Sequence, residues 1–264
     1  MFKTVLNQNT RDLIIEFVKT DFTLKYNNSV LGFLWVLIKP LVLFIVLFVI
    51  TSKVFPNDNV RYYPLYLLLG TIMLSYWSEA TMSGMNSLLV KSNLILKVNF
   101  PRYIAIVSSV LLPVINFFIN IVVFLVIEVI FFQKFPDFFG FLLFLFSVIT
   151  LFILILGFSL LTSIIFVRLR DLGSIWELVT NLIFWVTPIV YTIDTIKNKS
   201  QGIGNAIEYF NPISVALQAA RKGFIPESKF DPKGIIIWFF ISVIICTIGY
   251  FYFRKEVNKI AESF

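Results

Sequence analysis

Three ionisable residues, Lys39, Glu79 and Glu128, lie inside long apolar stretches of the sequence. An ionised side chain at the centre of a membrane span costs about 2.5–3.5 kcal/mol, so each should face protein or water instead of lipid. Carboxylates in such positions relay protons in ion-coupled transporters. Glu79 follows Tyr76 and Trp77, which favours a polar interior or a pore wall. Glu128 is close to the end of its stretch and is predicted to lie at the interface.

Lys39 has two interpretations. It precedes Pro40, which removes a helical hydrogen bond and can bend the helix. Its long stem can carry the ammonium group to the membrane surface, or the ammonium group can face a pore. An ion-coupled secondary transporter that uses Glu79 and Lys39 is therefore one hypothesis for this chain.

Aromatic side chains are abundant, with 31 Phe, 10 Tyr and 5 Trp. Most of them are expected to face lipid or to anchor at the membrane interface. A flat ring can also cover the apolar face of a sugar without holding any one hydroxyl tightly, so an aromatic-lined passage suits a sliding glycan. The candidates for lining such a passage, taken with Glu79, are Trp35, Phe44, Phe48, Tyr76, Trp77, Phe184, Trp185 and Tyr191.

Motifs for nucleotide, metal and hydrolytic chemistry are missing from the sequence. There is no G-x-x-x-x-G-K-[ST] loop, no H-E-x-x-H and no G-x-S-x-G. The sequence has no His, and its single Cys246 lies in the last apolar stretch, so imidazole and thiol metal sites are excluded. The chain is therefore not expected to hydrolyse ATP or to bind a metal. Uphill transport would need an ion gradient or another subunit.

Six apolar stretches must position these residues. A helical span needs roughly 20 apolar residues, and all six stretches qualify, the fifth marginally. Backbone polar groups in hydrocarbon must be satisfied within the segment, which predicts helices. Composition agrees, because 58% of the residues are hydrophobic and the mean hydropathy is +0.89. The stretches are Leu31–Lys53, Leu65–Val90, Ile104–Phe132, Phe138–Val167, Trp176–Ile193 and Gly234–Phe253.

Two shorter segments are predicted to be helices at the membrane surface. Thr10–Tyr26 has apolar residues at helical spacing with charged residues between them, as in an amphipathic interfacial helix. Ser92–Phe100 places Leu94, Ile95 and Val98 on one face. This second segment either fits a groove in a soluble partner or only connects two spans.

The segment between the fifth and sixth stretches, Asp194–Lys233, is too long to be a simple turn. An amphipathic piece covers Ile203–Phe210, and a second piece follows Pro212. Proline suits the first turn of a helix, and Asn211 is predicted to cap it. The segment is therefore predicted to contain two short helices at the outer face.

Charge asymmetry predicts the orientation. Short segments on the N-terminal side carry eight Lys and Arg residues, and short segments on the other side carry three, which places both termini in the cytoplasm. The net charge of +7 reflects this asymmetry and attraction to anionic head groups, so no nucleic-acid partner is expected. The chain is one unit, with an interface helix in 1–30, five spans in 31–193, an external segment in 194–233, a sixth span in 234–253 and a cytoplasmic tail in 254–264.

Taken in order, these segments resemble the permease subunit of ABC-2 type polysaccharide exporters, which serve O-antigen, capsule and teichoic acid export. The resemblance covers nearly the whole chain and rests on the joint order and spacing of several short motifs. These motifs are Tyr26–Trp35 with Lys39–Pro40, Lys97–Arg102, Arg170–Leu172, Phe184–Tyr191, and Asn211–Pro212 with Arg221 after them.

The resemblance implies an all-α polytopic membrane protein of the bacterial cytoplasmic (inner) membrane. It implies two permease copies paired with two ATP-binding subunits, which hold the ATP and Mg²⁺ while this chain binds no cofactor. A lipid-linked polysaccharide, usually on undecaprenyl diphosphate, would pass through a channel between the two copies. Such a chain is a transport subunit and not an enzyme.

By the same resemblance, Thr10–Tyr26 lies at the cytoplasmic interface and Asp194–Phe210 and Asn211–Phe224 are external gate helices. The first and fifth spans of different copies would form the seam that admits the lipid head group. The head-group candidates are the cations Lys25 and Lys39. The coupling contacts to the ATPase would be Ser92, Asn93, Leu94, Ile95, Leu96, Lys97, Val98, Asn99 and Phe100, with Arg170 and Asp171 in a charged turn nearby.

Lys39 departs from the family pattern, in which an uncharged residue is expected at that position. Two other hypotheses remain beside the polysaccharide exporter: the ion-coupled transporter, and an ABC-2 exporter of another amphiphile. A membrane-embedded glycosyl or acyl transferase is weaker, because no cluster of catalytic carboxylates is present.

Overall fold

The computed structural model describes residues 8–27, 29–54, 62–98, 100–132, 137–225 and 230–260. Within these residues every regular element is a helix, which confirms the predicted all-α class. A short 3-10 turn, Gly32–Leu34, precedes the second helix. The α-helices are α1 (Gln8–Tyr26), α2 (Trp35–Val54), α3 (Tyr63–Val90), α4 (Ser92–Lys97), α5 (Tyr103–Phe132), α6 (Phe138–Arg168), α7 (Leu172–Val186), α8 (Ile193–Lys199), α9 (Gln201–Phe210), α10 (Pro212–Phe224) and α11 (Pro232–Ile260).

Four segments of the described chain are long and apolar enough to cross a membrane, namely Gly32–Thr51, Tyr103–Ile130, Phe138–Arg168 and Pro232–Val257. Helix α3 has sufficient length, 28 residues, but is more polar. Helix α7 has 15 residues, which gives about 22 Å and falls short of a hydrocarbon core about 30 Å thick. Length and composition therefore establish a polytopic membrane protein but do not confirm the predicted count of six spans.

Helix α3 lies at the centre of the bundle, and α5, α6, α7 and α10 all contact it. Helices α6 and α11 form the most extensive pair. Gly157 on α6 makes this possible, because a Cβ atom there would lie 2.6 Å from the backbone nitrogen of Cys246. A Cβ atom added at Gly249 would likewise lie 2.7 Å from the backbone oxygen of Gly157. Small residues allow such backbone contact between membrane helices.

Helices α2 and α7 lie at the periphery of the bundle. Only 11% of the α2 span is buried, compared with 44% of the α5 span. In α7 only Thr180 is buried, and Leu178, Leu182 and Trp185 are largely exposed. These two helices present broad apolar surfaces that the other described residues leave uncovered.

The two ends of the bundle are built differently. At one end, which we call the α4 end, Ile95 packs on a buried cluster formed by the ends of α3, α5, α6 and α11. At the opposite end, α10 packs against α6, α3 and α11. Asn211 accepts hydrogen bonds from the backbone of Ile213 and Ser214 at 3.0 and 3.2 Å, which confirms the predicted cap of α10.

Several predicted boundaries were wrong. Helix α4 ends at Lys97 because Val98 is extended, with φ −126° and ψ 130°. The external segment holds three helices instead of two, since Ser200 is extended and separates α8 from α9. Helix α11 continues to Ile260, so the predicted tail 254–264 is helical over its first residues.

Glu128 faces protein instead of lipid, as expected for an ionisable residue in an apolar stretch. Its side chain is fully buried on α5. It therefore faces the inside of the helix bundle.

Candidate functional site

A cavity of about 520 Å³ lies between α1, α2, α3, α5 and α7. Its wall combines two lysines, one glutamate, several amide and hydroxyl side chains, and aromatic rings. Trp35 and Lys39 belong to the wall and are exposed, so the cavity opens past α2. The volume falls in the range of small-molecule binding sites, which is about 300–1,000 Å³.

An ion pair between Lys25 and Glu79 forms part of the cavity wall, and the amide group of Asn116 donates a hydrogen bond to it. Lys25 at the end of α1 donates to Glu79 in the middle of α3 at 2.5 Å. Asn116 on α5 donates to the same carboxylate oxygen at 2.8 Å and to the hydroxyl of Tyr26 at 2.9 Å. Burial opposes the charge of Lys25, but the attraction and hydrogen bond of Glu79 outweigh it and raise the pKa of Lys25. Three helices are thus joined through one carboxylate.

Lys39 is the other cation of the wall, and it is exposed on α2. Two lysines against one glutamate leave one net positive charge among the ionisable lining residues. Because Glu79 is already paired with Lys25, that positive charge belongs to Lys39. The ammonium group of Lys39 is therefore placed to attract an anion at the mouth of the cavity.

Two buried polar atoms of the wall have no hydrogen-bond partner among the described residues, the hydroxyl of Tyr76 and the amide oxygen of Asn116. Both residues are almost fully buried and both line the cavity. Leaving a buried polar group unsatisfied costs about 1–3 kcal/mol, so native proteins usually pair such groups with protein, water or a ligand. Both atoms are themselves enclosed, so a polar ligand in the cavity would reach this donor and this acceptor only after side chains of the wall move.

Six of the predicted lining and head-group residues meet at this cavity: Lys25, Trp35, Lys39, Tyr76, Glu79 and Phe184. The remaining candidates lie elsewhere. Phe44 and Phe48 stack on each other and pack against the core. Trp77 is buried beside Trp176.

Trp185 and Tyr191 also lie away from the cavity wall. The side chain of Trp185 is largely exposed. The hydroxyl of Tyr191 donates to the backbone oxygens of Trp185 and Val186 at 2.9 Å each, which caps the end of α7.

The sequence reasoning missed the amide side chains of the wall. Asn116 and Asn120 are four residues apart on α5, and Asn120 donates to the backbone oxygen of Val36 at 3.2 Å. Asn181 on α7 adds a third amide. A signal was available, because two amides at helical spacing in an apolar span must face protein or water.

The predicted coupling segment has one exposed and one packed face. Leu94, Leu96 and Val98 are exposed, with 56% of Leu96 accessible. Ile95 and Phe100 instead pack on the cluster at the α4 end. Asn93 and Lys97 are exposed beside Leu96, Ser92 is half-buried, and Asn99 lies outside the described residues. A protruding apolar surface on a short helix suits a groove in a partner.

Arg170 and Asp171 are exposed in the turn between α6 and α7. They follow Val167, which packs on the same cluster as Ile95, so this turn and α4 lie at one end of the molecule. Neighbouring Arg168 is held by Glu256 of α11 at 2.8 Å. The charged turn and the apolar face of α4 are therefore on a common end surface.

A comparison with protein families finds that residues 13–225 match the model described as ABC-2 type transporter. The chain belongs to this family. Membership makes it an integral membrane transport subunit and implies an ABC ATPase partner. The ABC-2 match includes the cavity, α4 and the charged turn, and it ends just after α10.

Curated ABC-2 relatives are similar over nearly their whole length. The O-antigen export system permease protein RfbA of Myxococcus xanthus is 25% identical over 256 residues, which cover 96% of this chain and 95% of the relative. A protein of the same name from Klebsiella pneumoniae is 26% identical over 254 residues, which cover 95% and 94%. The family resemblance stated from the sequence is thereby confirmed.

Proposed function

We propose that this ABC-2 chain is the permease subunit of an ATP-driven exporter that moves a lipid-linked polysaccharide, such as an O-antigen, across the bacterial cytoplasmic (inner) membrane. Two copies of the chain assemble with two ATPase subunits, and the polymer passes through a channel between the copies. The ATPase subunits bind and hydrolyse ATP with Mg²⁺. This chain supplies the path and carries out no chemistry on the substrate.

The observation that carries the proposal is the similarity to O-antigen export permeases over 95–96% of the chain. Similarity of this extent takes in almost the whole of this chain and of each relative. It favours an ATP-driven exporter over an ion-coupled transporter. The pairing of Glu79 with Lys25 and Asn116 points the same way, because the carboxylate is held by two donors.

The cavity suits a lipid-linked glycan. Lys39 offers a cation for the diphosphate at the mouth, and Trp35 and Phe184 offer rings for the apolar faces of sugars. Behind the surface of the wall, Tyr76 and Asn116 hold a donor and an acceptor that hydroxyl groups would reach when the lining moves. A ligand with an anionic head and a hydroxyl-rich chain would use all three kinds of group.

The coupling and assembly surfaces follow from what the chain leaves exposed. The apolar face of α4 docks in a groove of the ATPase, with the turn at Arg170 and Asp171 beside it. The uncovered apolar surfaces of α2 and α7 face lipid and the second copy. Six spans are formed when α3 and α7 cross together with the four more apolar segments, which places both termini in the cytoplasm and α8, α9 and α10 outside as gate helices.

The docking role is tested with Leu96→Asp, which places a charge on the exposed face of α4 without touching the packed face. Ile203→Asp is the matched control, because 59% of Ile203 is exposed on α9 outside the coupling region. Co-purification with an ABC ATPase produced in the same cells is the measurement. Leu96→Asp should lose the ATPase and Ile203→Asp should retain it; a wild-type chain that exports polysaccharide with no ATPase would overturn the proposal.

A further inference from the structure

Three residues of α1, spaced four apart, contact the α4 end and the cavity in turn. Residues four apart share one face of a helix. The Phe17 ring packs edge-on against Phe100, with centroids 5.3 Å apart. Asp21 accepts from Lys91 at 2.7 Å, and Lys25 pairs with Glu79.

The first two contacts lie at the α4 end. Lys91 immediately precedes α4, and Phe100 follows that helix in the same connection. Only 4% of the Lys91 side chain is exposed, and it also donates to the hydroxyls of Ser108 and Ser109 at 2.7 and 2.8 Å. Burial lowers the pKa of Lys91, and the Asp21 carboxylate opposes that shift. Asp21 is thus tied to the segment that carries the coupling surface.

The third contact lies at the cavity. Glu79 precedes Lys91 by twelve residues on one helix, and at 1.5 Å per residue the two are separated by about 18 Å along it. Lys25 pairs with Glu79 near the middle of α3, and Asp21 pairs with Lys91 at the end of that helix. Helix α1 therefore connects two distant points on α3.

Another ion pair on α1 provides a contrast. Lys19 and Glu16 pair with each other at 2.9 Å on the outer face, and two-thirds of each side chain is exposed. This pair stays within one helix and reaches neither α4 nor the cavity. Asp21 and Lys25, on the inward face of α1, instead pair with residues of other segments, as charges that serve only to solvate an amphipathic helix would not.

We propose that Asp21 and Lys91 are positioning residues that make α1 a rigid connection between the coupling surface on α4 and the Lys25–Glu79 ion pair at the cavity. When α4 is displaced, the Lys91–Asp21 bond carries α1 with it and shifts Lys25 relative to Glu79. The inference rests on the proposed function, because it takes the displacement of α4 to come from the ATPase.

Acylation of Lys25 by acetic anhydride, followed by mass spectrometry, tests the connection. The complex of the full chain with its ATPase is labelled with and without a non-hydrolysable ATP analogue. In the wild type the analogue should change the labelling rate of Lys25 several-fold. In Asp21→Asn this change should be lost while the ATPase remains bound. Glu16→Gln, which removes one carboxylate from the outer face of the same helix, should respond like the wild type.

A covalent link in place of the Lys91–Asp21 ion pair distinguishes loss of the connection from misfolding of the Asp21→Asn variant. In a Cys246→Ser background, Asp21→Cys and Lys91→Cys are joined by a short bismaleimide linker. The linked protein should regain the response of Lys25, and the unlinked protein should lack it. A purely structural role for Asp21 changes the amount of folded complex and not the dependence on the nucleotide.

The outcomes separate the two proposals. Failure of the wild-type chain to bind any ATPase would overturn the proposed function. Binding of the ATPase combined with an unchanged response in Asp21→Asn, or with no response in the wild type, would overturn the connection through α1 and leave the proposed function standing.

Discussion

The guanidinium carbon of Arg221 lies 3.1 Å from the centre of the Tyr66 ring. Arg221 is 1% exposed and donates to the backbone oxygens of Tyr66, Pro188 and Ile189. One side chain of α10 thereby holds the start of α3 and the segment after α7. Burial lowers the pKa of Arg221 to about 10, so it stays charged at neutral pH.

Arg221→Met should destabilise the protein by roughly 3 kcal/mol or more, because it removes the donors of three buried carbonyl groups at about 1–3 kcal/mol each. Lys222→Met changes an exposed cation on the same helix and should stay within about 0.5 kcal/mol. Thermal unfolding in detergent is the measurement. Equal melting temperatures for the two variants would contradict a clamp at Arg221.

Gly157→Ala should separate α6 from α11, because the added Cβ atom would meet the backbone of Cys246 at 2.6 Å. Overpacking of this kind costs roughly 1–3 kcal/mol. Gly202→Ala is the matched control: it lies in α9 with no atom within 4 Å of the added Cβ, and alanine there should be neutral or stabilising by about 1 kcal/mol. The same melting experiment compares the two, and a loss in Gly202→Ala equal to that in Gly157→Ala would refute the close contact as the cause.

Tyr76→Phe removes a buried hydroxyl that has no partner among the described residues. Stability should therefore stay unchanged or rise, since no protein hydrogen bond is lost. Export should fall if the hydroxyl binds the substrate, which is measured as polysaccharide at the cell surface. Thr81→Val is a suitable contrast, because the Thr81 hydroxyl is bonded to Trp77 and Trp176 and its loss should lower stability by about 1 kcal/mol.

Lys39→Met should reduce export and leave the melting temperature nearly unchanged, because Lys39 is exposed at the mouth of the cavity. Lys39→Arg keeps the positive charge and should retain most of the export. Accumulation of lipid-linked polymer inside the cell is the measurement. Normal export in Lys39→Met would show that another group receives the anionic head.

Local patterns predicted most of the helices but not the contacts of the site. Long apolar stretches gave α5 and α6 within one residue of their observed bounds, and Asn211 with Pro212 gave the start of α10. Helix α8 was missed because Ile193–Lys199 is short and polar, and its cap, Thr192, depends on one local hydrogen bond. Helix α7 begins before the apolar stretch and ends well inside it.

The site itself depends on tertiary contacts. Lys25 and Glu79 were both singled out, but they are 54 positions apart, and they meet only because α1 packs on α5 close to α3. Phe44 and Trp35 lie on the same helix and look alike as aromatic residues, yet only Trp35 faces the cavity. Which face of a nearly uniformly apolar helix turns inward is decided by its neighbours, and the sequence of that helix carries little signal for it.

The glycine contact between α6 and α11 has a consequence for how the molecule changes shape. Helices α6 and α11 touch backbone to backbone at Gly157 and form the most extensive helix pair, so they are expected to move as one unit. Helices α2 and α7 are only sparsely buried, so fewer contacts hold them against the described bundle. Any widening that admits a bulky cargo is therefore expected to move α2 and α7 outward, while α6 and α11 keep their arrangement.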